Sequence, residues 1–279
     1  VKAVSFVGST PIARYVYERG TANGKRIQAL GGAKNHMLVL PDADLELAAD
    51  AAVNGGFGSA GERCMAVSVV LATDSIADQL IEKIVARVRT LRTGDGSTGV
   101  DMGPIVTRQA RDRITGYIAA GAQAGATLVV DGREGPFDGP SDGYFVGPTL
   151  FDNVATDMSI YTDEIFGPVL SVVRVSGFDE GLGLINANPY GNGSVIFTND
   201  GGAARKFEIE VQAGMVGINV PVPVPMAYYS FGGWKNSLFG DSHAHGTEGV
   251  HFFTRSKTVT RRWPDPSARG LQLGFPQNH

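Results

Sequence analysis

Short apolar runs alternate with longer stretches whose apolar residues recur at helical spacing. Residues 4–7 (Val-Ser-Phe-Val) read as a buried strand, after which Gly8-Ser9-Thr10-Pro11 opens a helix to about residue 19, with proline in its first turn. Residues 26–30 and 36–40 read as further strands, and 44–53 as a helix. Ile76, Leu80, Ile81, Ile84, Val85, Val88 and Leu91 form one helical apolar face, and Ala110, Ile114, Tyr117, Ile118 and Gly121 a second. Strands follow at 127–130, 169–175, 194–197 and 215–218, with helical runs at about 178–187 and 201–211. Strands alternating with helices predict an α/β fold built on a mostly parallel sheet.

Three segments break the rhythm. Residues 132–143, rich in Gly, Pro and Asp, predict an exposed turn or hairpin. Residues 219–226 carry three prolines, which remove ladder donors, and predict an extended loop against a core or pocket. Residues 257–263 alternate in the manner of a strand before Pro264, either a plain edge strand or one that joins another sheet or subunit.

Composition narrows the function classes. The chain has 279 residues, 43% of them hydrophobic, enough for a sizeable core. A net charge of −4 leaves no basic footprint for nucleic acid. No run approaches the roughly 20 apolar residues of a membrane span. No export signal opens the chain, and with a single cysteine a reducing cytoplasm is the expected location. The chain begins in mid-strand without methionine, which suggests a truncated, processed or incompletely represented protein.

The one cysteine, Cys64, lies in Gly61-Glu62-Arg63-Cys64-Met65-Ala66, behind the glycine-rich loop Asn54-Gly55-Gly56-Phe57-Gly58-Ser59-Ala60-Gly61. Without a disulfide partner its role is either packing, as a small buried hydrophobe, or chemistry. The glycines allow tight backbone bending, and the neighbouring Arg63 is expected to favour the thiolate, so the setting suits a nucleophile. Gly8 and Ser9 stand where a strand meets a helix, offering N–H groups and a hydroxyl to a phosphate; a plain N-cap at Ser9 is the alternative. Glu164, ahead of Ile165-Phe166-Gly167-Pro168, either faces a cavity to accept two ribose hydroxyls or is a solvated acid beside Asp163. His243-Ala244-His245, two histidines without a cysteine partner, read as a surface loop rather than a metal site.

Phe6-Val7-Gly8-Ser9-Thr10, Gly61-Glu62-Arg63-Cys64 and Glu164-Ile165-Phe166-Gly167-Pro168, in that order, resemble the aldehyde dehydrogenase superfamily from residue 1 to about 263. Gly32-Ala33-Lys34-Asn35-His36, Pro221-Val222-Pro223-Val224-Pro225 and Ser230-Phe231-Gly232-Gly233-Trp234-Lys235 look like its acylating branch, the methylmalonate-semialdehyde dehydrogenases. The resemblance implies that Cys64 is the nucleophile, that Gly8, Ser9, Gly31, Glu164 and Phe166 contact NAD, and that Arg63 and Phe231 contact the substrate. It implies oxidation of malonate or methylmalonate semialdehyde through a thioester on Cys64, with coenzyme A as co-substrate and loss of CO₂. It further implies a homo-oligomer, dimer or tetramer, and a division into the tail of a Rossmann-type NAD-binding domain (1–30), a catalytic domain (31–255), and an oligomerisation strand with a C-terminal tail (256–279). The family's oxyanion-hole asparagine and its adenosine-binding residues would precede residue 1. Hydrolytic members carry a glutamate base where this chain has Ala29, a departure that favours acyl transfer to a thiol over attack by water. Glu62, close to Cys64, could substitute as a base but is more naturally read as an ion pair with Arg63 or a solvated acid. A hydrolytic aldehyde dehydrogenase and a non-catalytic assembly fragment remain the rival readings.

Overall fold

The computed structural model describes residues 1–263, 265, 267, 270, 273 and 274. Strands β1 (Ala3–Val7) and β2 (Arg26–Leu30) pair in parallel on either side of helix α1 (Thr10–Thr21) in the sequence. After β2 the chain turns at once into β3 (Asn35–Val39), a strand of a second and larger sheet. Helix α2 (Leu45–Phe57) follows, its first turn capped by Asp44, which accepts from the N–H groups of Glu46 and Leu47. Next come β4 (Val67–Thr73), α3 (Asp74–Val88) and α4 (Arg108–Gln123), the last capped by Thr107. The chain continues with β5 (Thr127–Val130), β6 (Thr149–Asp152), the short α5 (Ser159–Thr162), β7 (Val169–Val175) and α6 (Phe178–Ala187). It ends through β8 (Tyr190–Gly191), β9 (Gly193–Phe197), α7 (Gly201–Glu210), β10 (Met215–Ile218), β11 (Trp234–Lys235), β12 (Leu238–Phe239) and α8 (Gly246–Phe253).

The large sheet has the order β10-β9-β3-β4-β7-β6-β5, parallel throughout except for the β5–β6 pair. Its central strands β3 and β4 are buried almost without interruption, as expected where helices cover both faces. The small sheet has the order β1-β2-β12, and its third strand returns from far along the chain. The α/β class and the mostly parallel sheet match the sequence expectation. Five strands go beyond it: β4 and β6, buried on both faces and so without the alternation that marks a half-exposed strand, and the two-residue β8, β11 and β12. No helix among the described residues is long and apolar enough to cross a membrane.

The plain edge-strand reading of the C-terminal segment fails. Residues 257–263 form no strand and are exposed. Alternation gives a segment a strand's side-chain pattern, but a strand exists only where a neighbouring edge accepts its hydrogen bonds, and this segment joins no ladder within the single chain.

Beyond α2 the chain tightens into a turn over Gly58–Gly61, in which Ser59, Ala60 and Gly61 all take left-handed backbone angles (φ 53°, 54° and 68°). A Cβ at Gly61 would fall 2.2 Å from the carbonyl oxygen of Gly167, so this turn presses directly against the Glu164 loop. Gly99, also left-handed (φ 73°), has open space around it. Gly99→Ala should therefore carry only the backbone penalty, about 1 kcal/mol, whereas Gly61→Ala should destabilise further, on the order of 3 kcal/mol. Denaturant unfolding of both variants checks this, and equal losses would show that the loop contact is slack.

Candidate active site

The residues singled out from sequence converge. Gly8, Ser9, Gly31, Arg63, Cys64, Glu164, Phe166 and Phe231 all line one cleft of about 1170 Å³. The cleft opens between the head of α1, the β2–β3 turn, the cysteine loop and the Glu164 loop. Its wall is completed by Glu62, Met65, Arg113, Tyr117, Val222 and Val224, the last two from the proline-rich segment expected to press on a pocket.

Cys64 is solvent-accessible at the end of the left-handed turn. Its thiol pKa is raised, chiefly because the surrounding protein desolvates the thiolate, and the Glu164 carboxylate pushes it further up. Hydrogen bonds from the backbone N–H groups of Cys64 and Met65 work in the opposite direction. The expected tuning by Arg63 is absent. Its guanidinium turns back over Gly58, and Nε donates to Ser59 Oγ at 3.0 Å. No carboxylate among the described residues pairs with Arg63. Glu62 is therefore not its ion-pair partner; instead it accepts the Val106 N–H at 3.4 Å, and burial raises its pKa.

Glu164 is half-buried, and desolvation raises its pKa against the pull of the Ala33 N–H, Lys34 and Arg113. The Ala33 N–H donates to its Oε1 at 2.9 Å. A Cβ at Gly32 would fall 2.5 Å from Oε2, so glycine there makes room for the carboxylate. Phe166 is 39% exposed and takes a left-handed angle (φ 52°), a strained conformation for an aromatic residue.

The phosphate reading of Gly8 needs correction. Its N–H is already engaged by Leu30 O at 3.1 Å, and a Cβ there would strike the Phe6 ring. Ser9 stands at the N-cap position, but its hydroxyl makes no capping bond, which leaves it free to face the cleft. Ala29 also differs from expectation. It is fully buried in a small apolar cluster with Ala13 and Ile27, and it does not line the cleft. A glutamate at 29 would meet hydrocarbon before it met water.

Sequence reasoning missed the residues that hold the site. Asn35 and Asn192 both donate to the Cys64 carbonyl, each at 2.9 Å. Lys34 is buried beneath Glu164, and Nζ donates to the carbonyls of Ile160 (2.8 Å) and Asp163 (2.7 Å). The available signal was polarity inside apolar strands: a buried amide or ammonium must find partners, so its partners are fixed points of the fold. His243 is not placed as a metal ligand; its Nδ1 lies 3.3 Å from Ser230 Oγ, and no metal-binding cluster occurs among the described residues.

Burial lowers the Lys34 pKa from 10.5 to about 7, only partly offset by Asp163 and Glu164. Below pH 7 both folded and unfolded chains hold the proton and the burial penalty is complete. Between about 7 and 10.5 the unfolded chain binds more protons, so stability should rise with pH across that window. The rise should reach up to about 5 kcal/mol. Unfolding free energies measured across this range should show a limb that Lys34→Met removes; an identical limb in the variant would assign it to other groups.

The chain matches the aldehyde dehydrogenase family over residues 1–259. It is 56% identical to a malonate-semialdehyde dehydrogenase of Pseudomonas aeruginosa across 99% of its own length and 56% of that protein's, so it spans about half the length of the curated relatives it matches. A crystal structure of a methylmalonate-semialdehyde dehydrogenase from Oceanimonas doudoroffii superposes with a TM-score of 0.92 at 54% identity, covering 96% of this chain and 55% of that one. A betaine aldehyde dehydrogenase from Staphylococcus aureus in complex with NAD⁺ superposes with a TM-score of 0.85 at 33% identity, over 90% of this chain and 49% of that one. With the match running through nearly every element of both sheets, the chain belongs to the aldehyde dehydrogenase family.

Proposed function

We propose that this chain carries the nucleophile of an NAD-dependent, coenzyme A-acylating oxidation of malonate or methylmalonate semialdehyde. One observation carries the reading: Cys64, an arginine without an acidic partner among the described residues, and a half-buried carboxylate face the same cleft. The 56% identity to a malonate-semialdehyde dehydrogenase supports the choice of substrate.

In this reading the Cys64 thiolate attacks the aldehyde carbon and forms a thiohemiacetal, with Arg63 holding the substrate carboxylate and Phe231 packing on its carbon chain. Oxidation leaves a thioester on Cys64, which stores the acyl group until a second nucleophile arrives. The coenzyme A thiolate then attacks the thioester carbonyl and expels Cys64. Loss of the carboxylate as CO₂, with a proton taken up at the α-carbon, gives acetyl- or propionyl-CoA. The cleft suits the cofactor: Glu164 presents a carboxylate for ribose hydroxyls, Phe166 an exposed ring, Ser9 an uncommitted hydroxyl, and Gly31 and Gly8 a wall without side chains. NAD⁺ supplies the hydride acceptor when bound. A homo-oligomer, dimer or tetramer, with residues 256–279 at its interface, a reducing cytoplasm for the single thiol, and the division at residues 30 and 255 complete the reading. Exposed Met226, Tyr228 and Tyr229 supply apolar surface that such an assembly would cover.

In the intact protein a burst of NADH without coenzyme A should be followed by slow turnover, restored when coenzyme A is added. Cys64→Ala should abolish the burst, and Glu164→Gln should slow it through hydrogen bonds worth about 1–3 kcal/mol. Rapid release of free acid without coenzyme A would overturn the acylating assignment and turn attention to Glu62 as a base.

Arg63→Ala should erase the preference for acid-bearing semialdehydes over propanal, by about 10- to 100-fold in kcat/KM. Equal losses on both substrates would remove the carboxylate role.

A further inference from the structure

The carbonyl oxygen of Cys64 accepts from two side-chain amides. Asn35 Nδ2 donates to it at 2.9 Å from β3, and Asn192 Nδ2 donates at 2.9 Å from the β8–β9 junction. Both asparagines are buried, each only 5% exposed. Their remaining contacts close a ring around the loop. Asn35 Nδ2 also donates to Ala66 O (2.8 Å), Asn35 Oδ1 accepts the Gly193 N–H (3.0 Å), and Asn192 Nδ2 lies 3.0 Å from Met65 Sδ.

The carbonyl of Cys64 and the N–H of Met65 belong to one peptide unit. A trans peptide is planar, and its C=O and N–H point in opposite directions. Two amides that fix the carbonyl therefore fix the N–H as well, and the Met65 backbone is one of the two that pull the Cys64 thiol pKa down. Donors on the carbonyl also polarise the peptide and strengthen its N–H as a donor.

We propose that Asn35 and Asn192 are positioning residues, a two-amide clamp on the Cys64 carbonyl that aims the Met65 N–H at the Cys64 sulfur. The clamp supplies stabilisation of the thiolate that Arg63 does not. Its functional meaning rests on Cys64 being the nucleophile, as proposed above, but the clamp itself is a statement about the thiol and is testable without substrate, NAD or coenzyme A.

The test is the pH profile of Cys64 alkylation by iodoacetamide in the intact protein, with the label mapped by mass to the Cys64 peptide. Asn192→Ala removes one neutral donor and introduces no charge. Its alkylation midpoint should rise by about half a pH unit, slowing reaction near neutral pH by about threefold. Adding Asn35→Ser should raise the shift to about one unit, or about tenfold. A role confined to folding would lower the melting temperature and leave the midpoint in place. If Asn192→Ala fails to fold, Asn192→Ser keeps a polar atom in the buried site and gives the same reading. A folded variant whose midpoint coincides with that of the parent protein overturns the clamp. The midpoint can be read however slow the thiol is, so it is independent of the assignment of Cys64 as nucleophile, which fails instead if alkylating Cys64 leaves NADH formation intact.

Discussion

Residues 31–34 join the small sheet to the large one, and nearly every part of the cleft is fastened to them and to Asn35 at the head of β3. The Gly31 N–H donates to Ser237 O, the Gly32 N–H to Thr10 Oγ1, and the Ala33 N–H to Glu164 Oε1. Lys34 holds the carbonyls of Ile160 and Asp163, and Asn35 holds those of Cys64 and Ala66. Five consecutive residues thus bind the head of α1, the loop before β12, the Glu164 loop and the cysteine loop. The constraint is one of satisfaction: a crossover between sheets cannot form ladder bonds, so its buried polar groups must be met by whatever surrounds them. The surroundings here are the loops that line the cleft.

Those loops are also strained and desolvated. Ser59, Ala60 and Phe166 hold left-handed angles that side chains disfavour, and the Gly61 turn sits against the Gly167 carbonyl. The buried strands β3 and β4 supply the packing that holds this arrangement in place. Desolvation pushes ionisable groups of this region toward their neutral forms, raising the pKa of Cys64, Glu62, Tyr117 and Glu164 and lowering that of Lys34. The downward pull on the Cys64 thiol pKa comes from local backbone hydrogen bonding rather than from a nearby cation. Arg63, turned back onto Ser59, remains available for a ligand's charge.

Much of this was legible in the residues themselves. The alternation of strands and helices predicts the sheet because burial follows side-chain periodicity, which is local. Cys64, Ser9 and Glu164 stand out because glycine, proline and reactive side chains mark loops, whereas Gly31, Phe166 and Phe231 were pointed to only by the resemblance to the family. Asn35, Asn192 and Lys34 did not stand out as site residues, since nothing local says which carbonyl a buried amide or ammonium will meet.

Local sequence determined the α/β class and most of the elements, and the family motifs pointed to several of the residues that gather at the cleft. Tertiary structure alone decided that β4 is a central strand, that residues 257–263 join no ladder, that Ala29 is sealed in hydrocarbon, and that Arg63 turns away from the thiol. Each of these depends on contacts between segments distant in the chain, and a side chain's partner across such a distance is set by packing and hydrogen-bond satisfaction, which no short stretch of sequence encodes.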